Sequence, residues 1–282
     1  MKNWLVLLVV IFASLPCTAR NRFAEVKIET IPVAESVYML VGAGGNIGVS
    51  AGDDGVLIVD DQFAPLAEKI DRALQALSGS PTKYVINTHY HGDHTGSNEF
   101  FQKKKGATVF AHDNVRIRLA SNEKISVGAL PVVTYEDGIK FHLNGDTIHV
   151  IHLEKGHTDG DSVVWFEKSN VLHTGDLFFA GLFPYIDLGA GGDVKGYIES
   201  VETLLSRISE DTKIIPGHGP LSTKQDLKIF VEMIKETYAY VQKLKQEGMS
   251  EDKIIEKGLD AKWNSWTWNF INEARWIKTL YQ

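Results

Sequence analysis

The feature that most constrains this chain is the segment THYHGDHTG at residues 88–96, which directly follows the strand-like run Tyr84–Asn87. His89 and His91 are two residues apart, so an extended backbone directs both side chains to one face. Asp93 and His94 follow in a glycine-flanked turn. These four potential ligands are too many for one tetrahedral ion in so short a loop, whereas two neighbouring ions accommodate them. The segment therefore predicts a dinuclear metal site.

Three later segments repeat the pattern of an apolar run that ends at a possible ligand beside glycine. They supply His157 in Gly156–Thr158, Asp176 in Thr174–Asp176, and His218 in Pro216–Gly219. Glycine lets the backbone bend sharply and approach a ligand site. The combined pattern predicts seven ligands: His89, His91, Asp93, His94, His157, Asp176 and His218. We interpret His173 as a candidate support for the ligands, and His112, His142, His149 and His152 as ordinary core or surface residues.

The first nineteen residues predict a secretory signal peptide. A positive start at Lys2 precedes the apolar run Trp4–Leu15, which is too short to cross a membrane, and small residues lead to Ala19. Cleavage after Ala19 would leave residues 20–282 as a single domain, periplasmic or secreted, without membrane attachment. It would also remove Cys17, the only cysteine, so no thiol would be available as nucleophile or ligand.

Charge and hydrophobic periodicity narrow the class of protein. The net charge of −7 argues against a broad nucleic-acid surface, so we expect a small-molecule substrate.

A hairpin is predicted over Ile139–His152, turning at Asn144-Gly145. Other predicted strands are Val37–Val41, Val56–Val59, Tyr84–Ile86, Thr108–Ala111, Ser162–Phe166, Val171–His173 and Lys213–Ile215. Predicted helices are Ala64–Leu77, Asn98–Lys104, Val115–Asn122, Tyr197–Ile208 and Thr223–Gln246. The order predicts an α/β fold with sheets inside and helices outside.

The run His89–His94, followed in order by His157, Asp176 and His218, resembles the metallo-β-lactamase superfamily. The resemblance implies an αββα sandwich with two metal ions at one edge. It implies that His89, His91 and His157 bind one ion, that Asp93, His94 and His218 bind the other, and that Asp176 lies between them. It also implies that Asp60 supports the site, whereas we interpret Asp61 as a surface residue.

Two Zn²⁺ ions per chain are the expected cofactors, with iron or manganese as alternatives for these imidazole and carboxylate ligands. Such a pair, about 3.5–4 Å apart, would hold a bridging hydroxide that attacks a carbonyl or phosphoryl centre. We assign Asp93 a second role, as the proton shuttle.

The substrate is predicted less directly. Export favours β-lactam hydrolysis, although many lactamases of the family carry Cys where Asp176 stands, and Lys where Phe179 stands. A lactonase, thioesterase or other ester hydrolase is the alternative, and a mono-iron oxygen-dependent enzyme is a third. The predicted substrate-pocket residues are Phe179, Phe183, Tyr185 and Asn46. We interpret the tryptophan-rich segment Trp263–Trp276 as aromatic packing of a terminal helix.

Overall fold

A computed structural model describes residues 22–282, so the predicted signal peptide at residues 1–19 lies outside the described residues. The N-terminal part forms a sheet in which the strands lie in chain order, with β1–β4 antiparallel and β4–β7 parallel. Its strands are β1 (Glu29–Ala34), β2 (Val37–Val41), β3 (Ile47–Gly52), β4 (Gly55–Val59), β5 (Thr82–Ile86), β6 (Thr108–His112) and β7 (Val133–Tyr135).

The second sheet has the order β13-β12-β11-β10-β9-β8 and is antiparallel except between β11 and β12. The predicted hairpin turns at Asn144 and Gly145, whose φ angles of 51° and 74° are typical of a tight turn between twisted strands. The strands are β8 (Gly138–Leu143), β9 (Asp146–His152), β10 (Ser162–Phe166), β11 (Val171–His173), β12 (Lys213–Ile215) and β13 (Ser222–Thr223).

Helices cover the outer faces of both sheets. Helix α6 begins with a capping box, in which the Thr223 hydroxyl accepts from the Asp226 amide and the Asp226 carboxylate accepts from the Thr223 amide. In the part of the chain that the structure describes, none of the helices has both the length and the apolar character that a membrane crossing requires. The helices are α1 (Ala67–Leu77), α2 (Gly92–Thr95), α3 (Asn98–Lys105), α4 (Asp113–Ala120), α5 (Val194–Arg207), α6 (Lys224–Gln246), α7 (Glu251–Lys257) and α8 (Glu273–Tyr281).

Alternation along the strands divides the interior into three apolar layers. In β4, Leu57 and Val59 face the layer between the two sheets, while Val56 and Ile58 face the layer beneath α1 and α3. On the far side, β10 and β11–β12 share a third apolar layer with α5, α6 and α8. The predicted αββα sandwich is confirmed, with one apolar layer between the sheets and one between each sheet and its helices.

Candidate metal centre

The structure brings the seven predicted ligand side chains together in two neighbouring groups. Within each group, the potential ligand atoms all lie within 4.8 Å of one another. We call them the inner group, formed by His89, His91, His157 and Asp176, and the outer group, formed by Asp93, His94 and His218. Asp93 and His94 lie in the one-turn helix α2, and the other five lie in loops or short turns; all of these segments follow strands, which fix their backbones.

In the inner group, hydrogen bonds leave one nitrogen of His89 free to bind a cation. The Thr88 hydroxyl donates to the Asp60 carboxylate (2.8 Å) and lies 3.0 Å from His89 Nδ1. Because that hydroxyl has a single proton, it accepts from Nδ1–H, which leaves the lone pair of His89 on Nε2. His89 Nε2 is buried and has no hydrogen-bond partner among residues 22–282.

The rings of His157 and His91 show the same arrangement. His157 Nδ1 donates to the Tyr185 carbonyl (2.7 Å), and His91 Nε2 donates to the Asp187 carboxylate (3.0 Å). Their remaining nitrogens, His157 Nε2 and His91 Nδ1, are 2.8 Å apart. Two lone pairs in such proximity repel each other unless a proton or a cation lies with them. These two nitrogens therefore fit one metal ion, which His89 would bind as well.

Asp176 lies between the two groups. Its Oδ2 is 3.7 Å from His89 Nε2, whereas its Oδ1 is 3.1 Å from His94 Nε2 and 3.4 Å from His218 Nε2. Gly217 allows this close approach, because a Cβ at that position would lie 2.1 Å from Asp176 Oδ1. Each carboxylate oxygen thus faces a different group, as required of a residue shared by two ions.

In the outer group, His94 is fixed by Asp60, and His218 is fixed by ring packing. His94 Nδ1 donates to Asp60 Oδ2 (2.7 Å), and the His218 ring stacks on Phe179 with centroids 5.0 Å apart. Asp93 Oδ2 lies 3.5 Å from His218 Nε2. Asp60 is thus placed against a predicted ligand, and its left-handed backbone (φ 64°) turns the carboxylate inward.

The electrostatics of the two groups differ. Burial lowers the pKa of His89 well below its usual range and that of His157 to about 3, so both rings keep their lone pairs at neutral pH. Burial also lowers the pKa of His94, but the carboxylates of Asp176, Asp60 and Asp93 outweigh it and raise that pKa well above its usual value. The negative potential at the outer group therefore favours a positive charge.

The structure corrects the interpretation of Asp61 and shows which groups His173 contacts. Asp61 is not a surface residue, because it is fully buried and its Oδ1 accepts from the Ser97 amide (2.8 Å). Asp61 follows β4, which is buried on both faces, so alternation offers it no exposed side, and burial raises the pKa of Asp61. His173 lies 3.1 Å from both the Asn46 carbonyl and the Gly175 amide, so it supports the backbone before Asp176.

Asp187 is a residue that the sequence reasoning missed. Its Oδ2 accepts from the Tyr90 hydroxyl (2.6 Å) as well as from His91. The hydrogen bond from His91 lowers the pKa of Asp187, which remains a carboxylate and holds the ring of His91. The available signal was an isolated acid in the apolar run that follows Asp176.

A cavity of about 500 Å³ opens onto both groups. Of the predicted pocket residues, Phe179 and Tyr185 line it, whereas Phe183 and Asn46 do not. The Phe183 amide donates to the Trp266 carbonyl, and its ring is buried against Trp276. The cavity is also lined by four side chains that were not predicted, Arg22, Phe63, Trp268 and Phe270.

Asn46 has a different role from the predicted one. Its amide nitrogen donates to the carbonyls of Pro216 (2.9 Å) and Gly219 (2.8 Å), so it clamps the loop that carries His218. Both donors are therefore used within the protein. The expected substrate contact is replaced by support of a predicted ligand.

The family model of the metallo-β-lactamase superfamily matches residues 40–218. The chain belongs to this superfamily. Similar proteins include a hydroxyacylglutathione hydrolase of Methylococcus capsulatus, 27% identical over 79% of this chain and 79% of the relative. The metallo-β-lactamase IND-1 of Chryseobacterium indologenes is 30% identical over 49% of this chain and 56% of the relative.

Solved structures of the superfamily share the fold. A metallo-β-lactamase from Pontibacter korlensis superimposes with a TM-score of 0.65 at 20% identity, covering 74% of this chain and 99% of that structure. The prediction of a superfamily hydrolase with a His-rich metal-binding cluster is thereby confirmed.

Proposed function

We propose that the chain is an exported hydrolase that uses two zinc ions to cleave the ring of a β-lactam. The observation that carries the proposal is the convergence of the inner and outer groups on the two oxygens of Asp176. His89 Nε2 is buried without a hydrogen-bond partner in the described residues, and His94 Nε2 and Asp176 Oδ1, 3.1 Å apart, form no well-aligned hydrogen bond with each other. Such buried atoms are costly unless a cation satisfies them. Nitrogen and oxygen donors in these numbers suit zinc.

Two zinc ions, when bound, would supply a water activated at neutral pH and a Lewis acid for the substrate oxygen. The side chains of the inner group would hold their ion rigidly, because each of its imidazoles is fixed through its other nitrogen. Asp93 borders the cavity and remains partly exposed, so its carboxylate can both bind an ion and accept a proton from the attacking water.

The proton role of Asp93 is tested by Asp93→Asn. Asparagine retains one ligand oxygen but cannot accept the proton, so turnover should fall at least about 100-fold. Metal content should be measured on the same samples. Full turnover at full metal content would contradict the proton role.

The cavity offers a cation for a substrate carboxylate. Arg22 lines it, and its guanidinium lies 5.2 Å from the ring centroid of Phe63, another lining residue. A β-lactam carries its carboxylate on the side of the leaving nitrogen, so Arg22 would bind the leaving side of the substrate. Arg22 could thus bind the carboxylate of a β-lactam, although this chain has Phe179 where many lactamases of the family have a lysine.

A thioester is the second candidate. It is favoured by the relative named hydroxyacylglutathione hydrolase, which aligns over 79% of this chain, and by the carboxylate at Asp176. Lactones and simple esters belong to the same chemical class, because each presents one carbonyl and one leaving heteroatom.

The deciding experiment is turnover of zinc-reconstituted protein with a cephalosporin, a lactone, a thioester and a phosphodiester, with zinc, iron and manganese counted per chain. The proposal expects two zinc ions and cephalosporin hydrolysis. Thioester or lactone hydrolysis with an inert cephalosporin would establish the second candidate. One iron per chain and no hydrolysis would favour the oxygen-dependent enzyme instead.

Export is tested separately. N-terminal sequencing of the protein recovered from the periplasm or the medium should begin at Arg20 if cleavage follows Ala19. Retention of the full chain in the cytoplasm would contradict a periplasmic or secreted location.

A further inference from the structure

Part of the cavity wall comes from a region that the family model does not cover. The match ends at residue 218, whereas Trp268 and Phe270 lie between helices α7 and α8. Both side chains nevertheless line the cavity over the two groups. Their position makes this C-terminal segment a candidate determinant of specificity in this chain.

Trp268 is held in a fixed orientation. Its indole N–H donates to the Phe183 carbonyl (2.9 Å), and its amide donates to the Ile271 carbonyl (3.1 Å). Its ring lies 6.0 Å from Phe179 and 5.9 Å from His218, measured between centroids. The only polar atom of the indole is therefore satisfied within the protein, and the ring offers the cavity an apolar surface.

Phe270 continues this surface towards the mouth of the cavity. Its ring lies 5.5 Å from Trp268 and 5.3 Å from Tyr185, and the Tyr185 ring lies 5.6 Å from His91. The Arg275 guanidinium lies 4.3 Å from the Phe270 ring centroid and donates to the Phe270 carbonyl. An aromatic wall thus runs continuously from the inner group to the outer group.

The exposure of this wall indicates that it binds a ligand. Phe270 is 47% exposed, although its backbone and ring are both held by neighbouring side chains. A fixed aromatic surface left in water beside a site of reaction is typical of ligand binding, because a ligand that covers it gains the apolar area.

We propose that Trp268 and Phe270 form a specificity subsite for an apolar ring or chain on the acyl side of the substrate carbonyl. The proposal rests on the proposed function and specifies its substrate class. Arg22 and Phe63 form a separate part of the cavity lining and would take the carboxylate, which β-lactams and glutathione thioesters carry on the leaving side. The acyl substituent is then left to face the aromatic wall.

The test compares substrates that differ only in the acyl substituent. Zinc-reconstituted protein is assayed with benzylpenicillin against its analogue with acetyl in place of phenylacetyl, and with S-phenylacetylglutathione against S-acetylglutathione. We expect kcat/KM to be at least about tenfold higher for the aromatic member of the pair that is hydrolysed. Phe270→Ala and Trp268→Ala should each reduce this preference about 3- to 10-fold, whereas Phe270→Tyr should retain it.

Trp263→Ala is the matched control, since Trp263 belongs to the same segment but lies outside the lining of this cavity. It should leave the preference unchanged. Phe270 is exposed, so its replacement should leave the melting temperature and zinc content intact, and both are measured. Hydrolysis without a preference, or a preference that survives both alanine variants, would overturn the subsite. Absence of hydrolysis with all four compounds would overturn the proposed function and the subsite with it.

Discussion

The inner and outer groups of the candidate metal centre contain similar residues in different surroundings. In the inner group the side chains of His89 and His157 are 1% and 0% exposed, and each ring is fixed by a hydrogen bond through its second nitrogen. In the outer group Asp93 and His218 are 26% and 15% exposed, and His218 is held by ring stacking. His91 of the inner group is 18% exposed at the cavity, and His94 of the outer group is 0% exposed. The inner group thus has the larger share of buried ligands, whereas the outer group has the larger share of ligands that face the cavity.

This difference makes a prediction about metal release. Buried, preorganised ligands lose little entropy on binding, and their ion is shielded from water and chelators. Titration of the zinc-loaded protein with a chelator should therefore remove zinc in two steps, with the outer group losing its ion first. Simultaneous release of both ions would show that the two groups act as one site.

The largest effect is expected from His157→Ala. Loss of this buried imidazole removes an inner ligand and leaves a cavity. Losing a residue that only hydrogen-bonds to a ligand costs up to about 100-fold, so loss of the ligand itself should lower turnover by more than that. Zinc content should fall by at least one ion per chain, as measured by plasma emission spectrometry. Unchanged zinc content would contradict the assignment of His157 as a ligand.

A smaller effect is expected at Asp60, which we compare with the adjacent carboxyl group of Asp61. Asp60→Asn weakens the acceptor for His94 Nδ1, so zinc affinity of the outer group should fall about 10- to 100-fold. Asp61→Asn is the control, because burial raises the pKa of Asp61 and asparagine matches the shape of its neutral form. Titration calorimetry measures both. Equal losses from the two variants would show that the effect arises from the loop and not from His94.

A still smaller effect is expected in the inner group, at Asp187. Asp187→Asn exchanges one acceptor oxygen for a donor nitrogen, which disfavours the tautomer of His91 that leaves Nδ1 free, so inner zinc affinity should fall about tenfold. Tyr90→Phe is the matched control, since it removes the other hydrogen bond to Asp187 and leaves His91 untouched. A larger loss from Tyr90→Phe would reverse the assigned roles.

The sequence could predict those features that a short local segment specifies. The ligands were recognisable because short local segments carry them, each an apolar strand followed by glycine and a ligand, as at Gly217-His218. The hairpin at Asn144-Gly145 was equally local. Strand β3 (Ile47–Gly52) was not predicted, because its glycines hide the apolar pattern and only pairing with β2 and β4 stabilises it.

The cavity wall could not be predicted in this way, since it depends on contacts between distant segments. Phe183 and Tyr185 are two residues apart in one aromatic loop, yet the first is buried against Trp276 and the second lines the cavity. The tryptophan-rich segment likewise divides. Trp276 packs in the core as predicted, whereas Trp268 faces the metal centre. Composition identifies these residues as aromatic, but tertiary packing determines which of them a substrate can reach.

The smallest predicted effect separates loss of metal in acid from general acid sensitivity. His112 lies outside both groups and stacks on His152 with centroids 3.7 Å apart; burial and then the neighbouring His152 lower its pKa. The folded protein therefore holds this proton less tightly than the unfolded chain, so stability is lost as pH falls below about 6.5.

His112→Asn removes this titration but keeps a cap for the Asn114 amide. The stability of the variant relative to the parent should rise between about pH 7 and pH 5, because only the parent has this buried ring to protonate on unfolding. Melting temperatures of the two proteins with zinc removed measure the change. A difference that does not vary with pH would show that His112 has no part in the acid sensitivity.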